Sequence, residues 1–337
     1  MQLPVIPFVD LGPFGLDGLL PAHAQRYERL RAEACRDLTP AVVAFGDRVA
    51  RLWAAGRDLP YRDEITAVAR GAGRPGAWLM NLNYEFGCTC GIATAPDGAP
   101  VLLRALDWGR RGVGATIVAA RREGRAGPWT ALTWPGFVGI VQGLAPGRFA
   151  AAINQAPRGS GPGAAGAWAG AQWRLWRARG LPPALLLRRV FDLCPDFTAA
   201  RRMLAETPLA APAIFTLVGT RPGETAVVER TERRAVVQED AVAVSNHWLT
   251  AGFPGAPRAA ARRREPGAAG RDAGQARRRH QRLRLARPAD PQRDDAPVGP
   301  AGAGDRAPLG ARLGRGRPRD RPARPDRDLK TIRRETR

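Results

Sequence analysis

The chain has 337 residues, 44% of them hydrophobic, and carries a formal net charge of +22 with only four cysteines. That length allows one large core or two ordinary ones. The four cysteines are too few for a disulfide framework, none stands in the CxxC spacing of a zinc site, and no apolar run is long enough to span a bilayer.

At the N-terminus, "MQLPVIPFVDLGPFGLDGLL" has no Lys or Arg ahead of its apolar run, and Asp10 and Asp17 interrupt it, unlike an export signal. A cytoplasmic location is the expectation. The cleavage-like triplet Ala22-His23-Ala24 leaves a secreted or periplasmic location as the alternative. Apolar residues at helical spacing follow in "AQRYERLRAEACRDL" and "TPAVVAFGDRVARLWAAG". Strand-like runs begin at Cys88: "CTCGIAT", "PVLLRALDW", "ATIVAAR", "WTALTW", "FVGIVQGL" and "FAAAIN". Trp168, Trp173 and Trp176 are spaced for one helix face, as core or as a lid over an apolar pocket, with core preferred. Two helical stretches come next, "PPALLLRRVFDLC" and "FTAARRMLAE", with Cys194, like the earlier Cys35, on an apolar face expected to be core. The strand-like runs "APAIFTLVG", "TAVVER", "RAVVQE" and "AVAVSNHW" close this part. Blocks of strands separated by helices predict an α+β fold, with sheet on sheet and helices outside.

The composition breaks near residue 255. The last 87 residues hold 24 basic and 10 acidic side chains, so most of the net charge is theirs, and no aromatic residue follows Phe253. A segment this poor in apolar residues cannot offset its ordering entropy, so 256–337 is expected to be a disordered basic tail. A nucleic-acid arm is the sharper reading of the same charge, and nucleic acid is not the expected partner. Its Arg, Pro, Ala, Gly and Asp content is also what GC-rich DNA gives when translated out of frame. The break just after a strand-like run points to a frameshift near codon 255.

"APDGA" joins "CTCGIAT" to "PVLLRALDW" as an antiparallel hairpin. A two-residue Asp97-Gly98 turn places Cys88 opposite Asp107 on one face, and a three-residue loop that includes Pro96 is equally consistent and shifts the register by about one. On an unbroken pleat Arg104 faces away from Asp107, so the hairpin supports Asp107 better than Arg104 as a neighbour of Cys88 unless a bulge intervenes.

The chain has only three histidines, His23, His247 and His280, so a Cys–His dyad would have to recruit His247 from "SNHW". Cutting the bond before the cysteine gives another base, the cysteine's own α-amine, whose ordinary pKa of about 7.7–8.0 suits it to take the thiol proton. Asp107 would hold that amine, a cationic Arg104 would favour the thiolate, and the bond cut would be Gly87–Cys88, where glycine tolerates strained geometry. Plainer readings stand beside these: Cys88 as a small buried hydrophobe, Arg104 and Asp107 as a strand-end ion pair, and Asn154 and Asn246 as turn residues.

These residues resemble the acid ceramidase and N-acylethanolamine acid amidase family, in the choloylglycine-hydrolase branch of the N-terminal-nucleophile (Ntn) hydrolases. The family pattern has Cys-Thr-Ser, an Arg 16 residues on and an Asp at 19. Cys88-Thr89-Cys90, Arg104 and Asp107 stand at that spacing. "LPYRDEI", "NLNYEFGC", "GFVGIVQGLAPGRFAAAINQ", "TPLAAPAIFTLVGTRPGE" and "SNHW" look like further family blocks, in family order, across residues 3–250. The resemblance implies an αββα sandwich that cuts itself into an α chain, residues 1–87, and a β chain beginning at Cys88 with its catalytic region in 88–255, the two staying associated. It implies Cys88 as nucleophile, Arg104 and Asp107 beside it, and Asn246 with a backbone N–H near Asn154 as oxyanion donors. The substrate would be a small N-acyl amide with an apolar acyl group, with no metal or organic cofactor. An acyltransferase of the same superfamily is the alternative. Departures are Ala105 for Asn, Gln155 for Glu and Cys90 for Ser, while Arg258 and Arg262 near a late family Arg position stay unassigned.

Overall fold

Alternation of apolar and polar residues builds two sheets, and the computed structural model describes them through residues 5–82, 87–107, 112–157 and 176–255. The expected disordered tail, Arg258, Arg262, Trp168 and Trp173 lie outside the described residues. The strands are β1 (Phe8–Asp10), β2 (Gly87–Thr94), β3 (Pro100–Asp107), β4 (Val118–Gly124), β5 (Gly127–Thr133), β6 (Gln142–Ala145), β7 (Phe149–Gln155), β8 (Ala213–Val218), β9 (Thr225–Arg230), β10 (Ala235–Gln238) and β11 (Ala243–Val244). The helices are α1 (Leu19–Ala22), α2 (Ala24–Ala34), α3 (Pro40–Ala55), α4 (Arg62–Ala72), α5 (Ala77–Leu82), α6 (Pro183–Leu193) and α7 (Phe197–Glu206).

An eight-stranded sheet runs β1-β4-β5-β6-β7-β8-β9-β10, antiparallel except where β1 joins β4 in parallel. A three-stranded sheet, β11-β2-β3, lies across β7 and β8. Every residue of β8 is buried because both its faces are covered. Ala213, Phe215 and Leu217 enter the core shared with Leu186, Val190 and Phe191 of α6, while Ile214 faces Cys90 and Val244 of the small sheet. This is the expected α+β arrangement of stacked sheets flanked by helices.

Three sequence expectations change. "FVGIVQGL" is strand only from Gln142, because the buried stretch before it packs on other elements. Its backbone is satisfied by the buried Asn81, whose Oδ1 accepts from the Val138 N–H at 2.7 Å and whose Nδ2 donates to the Gly136 carbonyl at 2.8 Å. Trp176 is 46% exposed and so is not core, and Cys35 ends α2 half-buried, whereas Cys194 is buried as expected. No helix among the described residues is long and apolar enough to cross a membrane.

A polar cluster ties the N-terminal helices to the rest. Arg188 of α6, fully buried, donates to both carboxylate oxygens of Glu64 of α4 at 2.6 and 2.7 Å, and its guanidinium stacks 3.9 Å from the Tyr61 ring. Tyr61 has φ 62°, the one non-glycine positive value among the described residues, and its hydroxyl donates to Asp192 at 2.8 Å. Burial pushes that phenol upward, which keeps it a donor. Asp192 also accepts from Trp129 Nε1 at 2.9 Å and from Arg122.

Glu64→Ala removes the bidentate partner of the buried Arg188 and leaves Asp192, 3.8 Å away, as its remaining ion pair among the described residues. The expected cost is about 3 kcal/mol, read as a lowered urea midpoint. Asp10→Ala, which breaks the surface pair with Arg121, should leave the midpoint nearly unchanged. Equal midpoints for the two variants would contradict the clamp.

Candidate active site around Cys88

The hairpin loop decides which side chains meet. Ala95 N–H donates to the Ala99 carbonyl at 2.8 Å, Gly98 N–H to the Ala95 carbonyl at 2.9 Å, and Gly98 has φ 84°. This is a three-residue loop, Pro96-Asp97-Gly98, with glycine in the left-handed position that such a loop requires. Asp97 Oδ1 braces it by accepting from Ala99 N–H at 3.0 Å.

The register follows from that loop and reverses one expectation. Cys88 lies opposite Leu106, Cys90 opposite Arg104, and Gly87 opposite Asp107. Arg104 therefore shares the inward face with both cysteines, with no bulge needed, and Asp107 stands on the exposed face. Asp107 makes no hydrogen bond to Cys88; it flanks the Gly87 side of the bond. A Cβ on Gly87 would come 3.2 Å from the Asp107 carbonyl oxygen. Gly87 itself has no positive φ, so this close approach, rather than a left-handed backbone, favours glycine there.

Cys88 is 2% exposed and Cys90 is fully buried. Arg104 donates to Cys88 Sγ at 3.0 Å, to the Ile153 carbonyl at 2.7 Å, to Gln142 Oε1 at 3.1 Å and to the Val141 carbonyl. The Gln155 backbone N–H also hydrogen-bonds the sulfur. Burial nevertheless dominates and pushes the Cys88 thiol up to about 11, with Arg104 opposing it and Cys90 adding to it. Arg104 favours the thiolate but burial outweighs it: with the Gly87–Cys88 bond intact, this is a protonated thiol at neutral pH.

Asn246 reaches Cys88 through its amide. Its Oδ1 accepts from the Cys88 backbone N–H at 2.8 Å, and its Nδ2 donates to the Gln155 carbonyl at 2.7 Å. Asn154 sits deeper, fully buried. Its Nδ2 donates to the Val244 and Ser245 carbonyls at 3.1 and 3.3 Å, and its Oδ1 accepts from Cys90 Sγ at 3.1 Å. The backbone N–H beside the sulfur belongs to Gln155 rather than to Asn154. His247 bonds Ser245 Oγ at 2.9 Å on an exposed turn and has no bond to Cys88. The structure thus joins Cys88, Arg104, Asn154 and Asn246, does not join His247, and adds Cys90 and the Gln155 N–H, which pairwise spacing did not assign. Among the described residues, no group of three or more His, Cys, Asp or Glu is placed to hold a metal ion.

No family model matches the chain. Over 208 residues it is 23% identical to the acid ceramidase of Macaca fascicularis, covering 56% of this chain and 52% of that protein. Over 210 residues it is 26% identical to the N-acylethanolamine-hydrolyzing acid amidase of Cavia porcellus, covering 60% and 57%. The chain thus spans little more than half the length of these curated relatives. Among solved structures, the Caenorhabditis elegans N-acylethanolamine-hydrolyzing acid amidase ortholog aligns with TM-score 0.40 at 18% identity, over 48% of this chain and 70% of that one. Penicillin V acylase from Agrobacterium tumefaciens aligns with TM-score 0.32 at 19% identity, over 47% and 52%. In sequence the chain is acid-ceramidase- and amidase-like, the family that its ordered motifs resemble.

The thiol gives a pH test. A group at about 11 is ionised at pH 7 about 300-fold less than an ordinary cysteine. In the uncleaved chain, Cys88 alkylation by iodoacetamide, followed by peptide mass, should be slow at pH 7 and climb toward pH 11, and urea should abolish the lag. Because the folded value lies above the unfolded one, the linked stability is whole below about pH 8.5 and is lost as pH rises through about 11. A midpoint for Cys88 near 8.5 in the folded chain would refute the burial argument.

Proposed function

We propose that the chain is a cysteine amidase that cuts itself at Gly87–Cys88 and then hydrolyses an N-acyl amide with an apolar acyl group. One observation carries this reading. The Cys88 sulfur sits 3.0 Å from the Arg104 guanidinium, while the backbone N–H of the same residue, at the bond to be cut, is held by Asn246.

A buried thiol this basic needs a proton acceptor, and no histidine among the described residues is hydrogen-bonded to it. Cutting the preceding bond converts the Cys88 N–H into an amine with an ordinary pKa of about 7.7–8.0, within reach of the sulfur of its own residue. Asn246 Oδ1 is already in place to orient that amine, and Asp107, opposite Gly87, is the carboxylate nearest to it in register. The amine takes the thiol proton as sulfur attacks the amide carbonyl. The Gln155 N–H and the second hydrogen of Asn246 Nδ2 stabilise the developing oxyanion. The same amine returns the proton to the leaving nitrogen, and water then cleaves the thioester. Arg104 stabilises sulfur when it carries negative charge. The N-acyl amide class is supported by the relatives' names, one of them an N-acylethanolamine-hydrolyzing amidase.

Intact mass of the purified protein tests the cleavage. Two associated fragments divided at Gly87–Cys88 are expected, and a single full-length species from Cys88→Ala. Turnover of an N-acylethanolamine or ceramide analogue tests the chemistry, and Asn246→Ala should lower kcat on the order of 10²–10³. A wild-type chain that stays whole and turns over no amide would remove the proposal.

A further inference from the structure

We infer that Cys90 is a positioning residue: its thiol fixes the amide of Asn154, and that amide fixes the strand end presenting Asn246 to Cys88. The catalytic consequence rests on the amidase reading; the geometry does not.

The strand that delivers Asn246 is weakly held. β11 is two residues long, pairing Ala243 with Gly91 and Val244 with Cys90, with one more bond from Ile92 N–H to the Val242 carbonyl at 2.8 Å. Beyond Val244 the ladder stops, yet Asn246 must keep a 2.8 Å contact with Cys88 N–H. Asn154 spans the gap by donating to the carbonyls of Val244 and Ser245, the two residues before Asn246.

Those two acceptors settle which way the Asn154 amide faces. Carbonyl oxygens need donors, so the NH₂ end points at β11 and Oδ1 points away. Cys90 Sγ lies 3.1 Å from that Oδ1. An amide oxygen has no proton to give, so the thiol donates. Cys90 must therefore stay protonated; full burial favours this, raising its pKa against the nearby Arg104. An acceptor at position 90 would face Oδ1 with lone pairs and drive the amide to flip, turning an oxygen toward Val244 and Ser245 and releasing the strand end.

Site 90 thus needs a small buried donor rather than sulfur chemistry. Cys90→Ser keeps a donor; Cys90→Ala removes it. Against an N-acylethanolamine, Cys90→Ala should lower kcat about tenfold with KM within about twofold, and Cys90→Ser should recover to within about threefold. Iodoacetamide labelling of Cys88, resolved by peptide mass, gives a readout that needs no turnover. It should run at least about fivefold faster in Cys90→Ala than in wild type, and close to wild type in Cys90→Ser. If Cys90→Ala fails to fold, Cys90→Val fills the thiol's volume without a donor and carries the same comparison. Asn154→Asp should mimic the donor-less variant, and its combination with Cys90→Ala should be no worse than either alone. Equal labelling and equal kcat in the Ser and donor-less variants would overturn the inference. A labelling contrast with no amide turned over by any variant would instead uphold the positioning and end the amidase reading.

Discussion

The site depends on the length of one loop. Pro96-Asp97-Gly98, with Gly98 left-handed, sets β2 against β3 so that Cys90 faces Arg104. A two-residue turn would move every partner by one and carry Arg104 to the solvent side. Because the loop is three residues long, the guanidinium lies inside with both sulfurs and donates to three oxygen acceptors besides Cys88, one of them the Ile153 carbonyl of β7. The cation is thereby both a neighbour of Cys88 and a tie between the two sheets. Its geometry is fixed by the larger sheet rather than by the flexible length of its own side chain.

Within that frame, desolvation and charge pull the Cys88 thiol in opposite directions, and desolvation wins. A nearby cation is often taken as enough to activate a cysteine. Here it moderates a cost that burial imposes, and the thiol stays protonated at neutral pH. In the proposed cleaved form, an amine from the same residue would supply a base without a second element to bring it within reach. The amides around the sulfur are arranged in tiers: Asn246 touches Cys88, Asn154 holds the segment carrying Asn246, and Cys90 orients Asn154.

Much of this was legible in the sequence. Strand-like runs marked most of the strands from Cys88 onward, and the turn at Ala95–Ala99 marked the hairpin that carries Cys88, Arg104 and Asp107. The register was open between two loops, and Pro96 ahead of Asp97-Gly98 was the cue to the longer one. Choosing the shorter loop favoured Asp107, whereas the structure brings in Arg104. The short helices α4 and α5 were not read, since tertiary packing of Ile65, Val68 and Trp78 supports them more than length or propensity. The tiers of amides were out of reach, because Asn154 and Cys90 are separated by 64 residues and nothing local couples them. The grip of Arg188 on Glu64, 124 residues away, was equally silent.

That grip bears on what a nick in the backbone would do. Glu64 and Tyr61 precede Gly87; Arg122, Trp129, Arg188 and Asp192 follow it, and the cluster they form is buried or nearly so. The covalent link at Gly87 is therefore redundant for cohesion: severing it would free two chain ends at the nucleophile while leaving the halves clasped far from the break. Were that bond cut, as proposed, the fastening between the halves would lie away from the break.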